Sequence, residues 1–313
     1  MNATAQPISV TAPVSPAFAR VKTVLFAPFD LGRWLAIAFC AWLACLDEAG
    51  GLGGGLNYRF GSDYHDYERS FAQARDWVLD NLHWLAPVVV AGLIVGVVLW
   101  VVFLWLSSRG WFMFFQCVAE NRAEVVAPWT RFAPHANSLF LFRVLLSVAS
   151  GVTVTVPILL AGLIVVLLAH SGGAVFGVVG LALAILVGLA VAIFWAVVTK
   201  FTYDFVVPFM ARFTSSVWDG WEMVLKLIRP QAGVFVLYVL FQIVIKLAIL
   251  ALVVAATLAT CCCAGILLAL PFVGTALMLP VLVFERAYSL CFLRQFGAEF
   301  DFFAPPPATP EIV

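Results

Sequence analysis

Charge is what this chain has least of. Asp, Glu, Lys and Arg make up 11% of it, against roughly 25% in a soluble domain, too few to clothe a water-facing globule. What charge there is balances, 17 basic against 17 acidic, which argues against a nucleic-acid partner, since that would leave a basic excess. Histidine is sparse and scattered (His65, His83, His135 and His170), with no H-E-x-x-H and no pair at metal-ligand spacing. No C-x-x-C occurs; Cys40 and Cys45 sit apart, and the consecutive Cys261, Cys262 and Cys263 point about 100° from one another on a helix, too divergent for one metal. No G-x-S-x-G is present, and the glycines from Gly50 to Gly55 lack the Lys-Ser/Thr of a phosphate loop. The sequence therefore predicts no catalytic, cofactor-binding or metal site, and a protein that is not an enzyme.

What fills the chain is apolar residues, 64% of the total. Runs of at least about 18 of them can cross a hydrocarbon layer as helix. Six candidate spans emerge, over 32–48, 84–107, 139–169, 174–199, 233–258 and 262–284. The expected fold is an all-α polytopic membrane bundle occupying residues 18–303, with the lipid bilayer as its first partner. Residues 1–17 lack the basic start and apolar run of a secretory signal. They read as a disordered tail, as does Pro-rich 304–313.

Basic residues set the orientation. Arg20, Lys22 and Arg33 open span one, Arg109, Arg122, Arg131 and Arg143 follow span two, Lys200, Arg212, Lys226 and Arg229 follow span four, and Arg286 and Arg294 follow span six. With six alternating spans all of these share one side, leaving Arg59, Arg69 and Arg75 opposite. A bacterial inner-membrane protein with both termini cytoplasmic is expected. Trp34, Trp84, Trp105, Trp111 and Trp195, near span ends, fit interfacial belts.

A threefold hairpin repeat is visible on the basic side. Prolines in Phe26-Ala27-Pro28, Phe132-Ala133-Pro134 and Ile228-Arg229-Pro230 recur at roughly 100-residue intervals, each shortly before an odd-numbered span. Ahead of each lies an amphipathic stripe: Phe18, Val21 and Leu25; Val125, Trp129 and Phe132; Trp218, Trp221, Leu225 and Ile228. Such stripes suit helices lying in the headgroup plane, which proline then ends. On the opposite side a further stripe, Tyr64, Tyr67, Phe71, Ala74, Val78 and Leu82, predicts another surface helix, while Pro157, Pro271 and Pro280 predict kinks in spans three and six.

Lys246 is the outstanding anomaly. It lies about 20 Å along the fifth span by helical rise, where an ionisable group is a functional candidate by default. With Gln242 one turn earlier it forms a candidate intramembrane polar site; a structural lysine bonded to carbonyls is the alternative. The run Tyr203-Asp204-Phe205-Val206-Val207-Pro208-Phe209-Met210, continuing to Trp218, Trp221 and Arg229-Pro230 and then a span, resembles uncharacterised bacterial multi-pass membrane families. Among these is the membrane domain fused to some glycerophosphodiester phosphodiesterases. The resemblance implies repeated proline, surface helix and hairpin units. It transfers no active-site residue, and without a phosphodiesterase domain in this sequence that activity is not expected. The leading functional expectation is a non-catalytic scaffold or assembly factor engaging lipid or a membrane-protein partner. A small-solute or lipid transporter working around Lys246 is the runner-up.

Overall fold

The computed structural model describes residues 8–46, 75–170, 174–214, 216–260 and 263–303. The glycines from Gly50 to Gly55, His65, the stripe from Tyr64 to Ala74, the turn at residues 171–173, Cys261 and Cys262, and the tails at 1–7 and 304–313 lie outside them. Every regular element among the described residues is helical.

Three antiparallel pairs, each introduced by a short helix, organise the chain. Helix α1 (Val14–Val21) runs through a wide turn at Lys22–Phe26 into α2 (Leu31–Ala44), which packs along α3 (Leu82–Glu120). Short α4 (Val126–Arg131) introduces α5 (Ala133–His170), paired with α6 (Ala174–Phe201). A wide turn at Thr202–Val206 and α7 (Val207–Phe213) lead to amphipathic α8 (Val217–Ile228). The third unit is α9 (Ala232–Ala259), α10 (Cys263–Ala269) and α11 (Pro271–Leu293). Five helical stretches are long and apolar enough to cross a membrane, making this a multi-pass membrane protein. The first predicted span is the exception: α2 has 14 residues, a rise of about 21 Å, short of a bilayer's roughly 30 Å hydrocarbon core. Pro157 and Pro280 are accommodated within α5 and α11, whereas extended backbone at Leu270 breaks the sixth span ahead of Pro271.

The helices outrun the membrane. At 39 residues, α3 rises about 58 Å, beyond even the 40–45 Å that includes headgroups. Its two parts behave differently. From Leu82 to Val102 nearly every side chain is exposed, while Phe112, Met113, Cys117 and Val118 are fully buried. The most apolar 18-residue windows of four long stretches are 6% buried, but that of Pro271–Phe296 is 61% buried. α11 is thus the pillar of a compact hub at the basic end, touching α1, α2, α3 and the Thr202–Val206 turn. The physical reason is the change of solvent. Lipid tails give apolar helices no hydrophobic reason to associate, whereas in water each buried Phe or Leu contributes about 1.5–3 kcal/mol.

Residues 8–17, expected as tail, are part of this hub. Val10 and Ala17 are buried, Ser9 N donates to Gln295 Oε1 at 2.9 Å, and Tyr288 Oη donates to Val10 O at 2.7 Å. Local composition carries no hint of this, because the contacts are made with residues almost 300 positions away. Helix ends are closed with equal care. Asp30 caps α2 by accepting from Gly32 N at 2.9 Å, and α3 stops at Asn121, whose φ of 60° is one that Asn tolerates better than most residues. Arg20 Nε and Nη2 donate to Val118 O and Ala119 O at 2.8 and 2.6 Å, supplying positive charge where the helix dipole is negative. Gly110 lets α2 and α3 close; a Cβ there would stand 2.4 Å from Ala44 N.

The three surface helices predicted on the basic side border the hub. Val217, Gly220 and Val224 bury one side of α8, Trp221 is half-buried, and Trp218 remains 61% exposed with its edge on Phe142. Val21, Leu25 and Phe132 are buried, while Phe18 lies 55% exposed against Phe284.

Candidate functional site

The ends of α3, α6 and α11 converge on a buried polar and aromatic centre, one part of it from each hairpin. Trp111 stacks on Tyr203 with centroids 4.2 Å apart and planes 7° from parallel. The Arg286 guanidinium lies 5.7 Å from the Trp111 ring and 5.4 Å from Phe115, and its Nη1 donates to Tyr203 O. Arg143, from α5, sits 5.3 Å from the Tyr203 ring and donates through Nη1 to Ser107 Oγ and Ser108 Oγ at 3.1 and 3.0 Å. Ser107 Oγ in turn donates to Ala44 O at 2.6 Å. Both arginines are 3% exposed. Arg286 falls just beyond a predicted span end and Arg143 just inside the start of another, where each is expected to reach water; tertiary partners, invisible in a local window, allow their burial. Trp111, expected in an interfacial belt, is likewise drawn into this centre.

A second group adjoins it. Lys200 Nζ pairs with Asp204 Oδ2 at 2.6 Å, one helical turn apart. Tyr238 Oη donates to the same oxygen at 2.9 Å, and Gln242 Nε2 donates to Tyr238 Oη at 3.0 Å. Tyr238 is also enclosed by Phe205, Phe292 and Tyr288, with centroids at 5.1, 4.6 and 5.6 Å. This chain of bonds joins the second hairpin to the third. Its sequence signal is a Tyr and a Gln at i and i+4 in an otherwise apolar helix, aimed by helical geometry at one neighbour.

The two predicted site residues part company here. Gln242 is buried in that network, while Lys246, a turn further out, is exposed on α9 and bonded to none of the described residues. Chemically, the buried centre is a lock. Its carboxylate is held by an ammonium and a phenol, Arg143 by two hydroxyls and a ring face, and Arg286 by the Tyr203 carbonyl and two ring faces, with Arg286 Nε and Nη2 bonded to none of the described residues. No group of three or more His, Cys, Asp or Glu that could hold a metal ion occurs among the described residues. His83 is exposed; His135 packs between Phe112 and Phe132. Cys40, Cys117 and Cys291 are free and buried as small apolar side chains. Outside the spans, burial pulls the Arg20 guanidinium below its ordinary value, an effect that leaves arginine charged at neutral pH.

Comparison with curated proteins and with solved structures finds no match. A family model does match, over residues 8–283, taking in the N-terminal segment that packs on the hub, the first two hairpins, α9, α10 and the first part of α11. On that coverage the chain belongs to the DUF7544 family, a family of unknown function.

Proposed function

We propose that this protein is a non-catalytic scaffold or assembly factor of the bacterial inner membrane, with its hub and both termini on the cytoplasmic side. One observation carries the reading. The chain spends its polar and aromatic contacts on a sealed hub, yet leaves the most apolar windows of four of its five long stretches 6% buried. Embedded faces left uncovered in this way are available to lipid and to the helices of another membrane protein. The concentration of Lys and Arg at the hub end supports the orientation. The likeness to the membrane domain fused to some glycerophosphodiester phosphodiesterases enters only as architecture, a repeated hairpin module.

Lys246 favours a second reading, solute or lipid transport, because a lone ammonium midway along a span is costly, about 2.5–3.5 kcal/mol on insertion scales. A transport site also needs polar groups converging on that lysine, and Gln242 is turned inward to Tyr238.

Photo-crosslinking residues at the exposed positions Leu240, Leu247 and Leu250 separate the readings in native membranes. A scaffold gives a discrete protein adduct, and Lys246→Met leaves both the adduct and protein abundance close to wild type. Lipid-only adducts, together with solute flux in proteoliposomes that disappears in Lys246→Met, would replace it with transport.

A further inference from the structure

We infer that the hub end carries a binding site for a phosphate-bearing ligand, distinct from the buried lock and independent of the scaffold reading. A cavity of about 440 Å³ opens there, within the range of roughly 300–1,000 Å³ typical of small-molecule sites. Phe115 and Glu120 of α3, Arg122 just past its end, Arg131 at the end of α4, Arg212 of α7, and Phe302 form much of its wall.

Charge in this wall is lopsided, three guanidinium groups against one carboxylate. The carboxylate is engaged: Glu120 Oε1 lies 3.6 Å from Arg131 Nη1, and its Oε2 accepts from Gln116 Nε2 at 2.9 Å. Two guanidinium groups keep donors to spare. Arg212 Nη1 donates to Asp301 O while its planar group lies 5.6 Å from the Phe302 ring, which fixes its direction; its Nε is buried and bonded to none of the described residues. Arg122 is exposed and bonded to none of the described residues. Arg122, open to solvent, and the Arg212 guanidinium, held in one direction by Asp301 O and the Phe302 ring, are the donors that a ligand in this cavity meets. Arginine forks match phosphate oxygens geometrically, and the phenylalanine walls suit an apolar or aromatic group joined to that phosphate. The phosphate itself has two sources, a water-soluble ester or the headgroup of an anionic lipid.

The test uses the full chain in nanodiscs. In one arm, discs of zwitterionic lipid are titrated with inorganic pyrophosphate by calorimetry; in the other, discs containing phosphatidic acid are compared with discs lacking it by thermal unfolding. Arg122→Gln is the first variant, because the exposed side chain supports no contact with the described residues. Saturable pyrophosphate binding that weakens at least about tenfold in Arg122→Gln supports a soluble ligand. Stabilisation by phosphatidic acid alone, lost in Arg122→Gln, supports a lipid headgroup. Arg212→Lys, which keeps the charge but not the fork, should weaken the same arm. Binding in neither arm, or binding indifferent to both variants, would overturn the inference.

Discussion

Tyr238→Phe is the sharpest probe of the lock between the second and third hairpins. It removes one oxygen and leaves the ring among Phe205, Phe292 and Tyr288. Asp204 loses a donor at 2.9 Å but keeps Lys200, and Gln242 Nε2 loses its only acceptor among the described residues, at 3.0 Å. A hydrogen bond to a charged group is worth about 1.5–3 kcal/mol. Stranding the Gln242 amide adds to this, since Gln242 Oε1 already has no partner among the described residues. The expected loss is therefore about 2–4 kcal/mol. Reversible unfolding in mixed micelles, followed by tryptophan fluorescence, measures it, with Trp111 on Tyr203 as a reporter inside the hub. In a double-mutant cycle, Gln242→Leu should cost less when combined with Tyr238→Phe than in wild type, because its partner is already gone. A loss below about 0.5 kcal/mol, with the two changes simply additive, would refute the claim that this network joins the hairpins.

Three further outcomes follow from the same geometry. Gly110→Val places atoms where even a Cβ meets Ala44 N at 2.4 Å, so α2 and α3 must part; a loss of more than about 3 kcal/mol, read as collapse of detergent-stable yield, is expected. Arg286→Met should cost about 1–3 kcal/mol, because it removes the Nη1 donor to Tyr203 O and the cation beside the Trp111 and Phe115 rings; unfolding free energy checks this. Removing residues 8–13 deletes the Tyr288 bond to Val10 O and the Ser9 bonds to Gln295, and should expose the base of α11 to protease without preventing membrane insertion.

Long apolar segments and helical stripes are readable in the sequence because hydropathy and periodicity are local properties. A helix stands at α8 and helical hairpins between α2 and α11 where that reading places them, although the side of α8 packed on the hub is Val217, Gly220 and Val224, with Trp218 and Leu225 of the predicted stripe exposed. The division of α3 into an embedded part and a hub part is readable at its boundary, since the predicted span ends at residue 107, where Ser107-Ser108-Arg109 begins and burial sets in. What is not readable is that the apolar Phe112-Met113-Phe114-Phe115 beyond it packs into a core rather than facing lipid. Arg143, Arg286 and Asp204 escape a sequence reading for a related reason. A charge is read as exposed unless its partners are known, and here they come from other hairpins. Lys246 and Gln242 look alike in sequence, being one turn apart, yet a one-turn step rotates a side chain by about 40°. At the rim of a contact that is enough to separate buried from exposed.

The hub brings together the same end of the returning helix from each of the three hairpins. Trp111, Tyr203 and Arg286 come from the corresponding end of the returning helix in each unit, and they meet as ring, ring and cation. Three copies of one residue could not make that contact, because identical guanidinium groups would repel and identical rings would leave the Tyr203 carbonyl without its donor. Trp111→Arg, which makes two of the three positions alike, should therefore disrupt the hub more than Trp111→Leu, although arginine supplies more hydrogen-bond donors. Comparing the detergent-stable yield of the two variants decides the matter, and equal yields would leave the centre as mere packing.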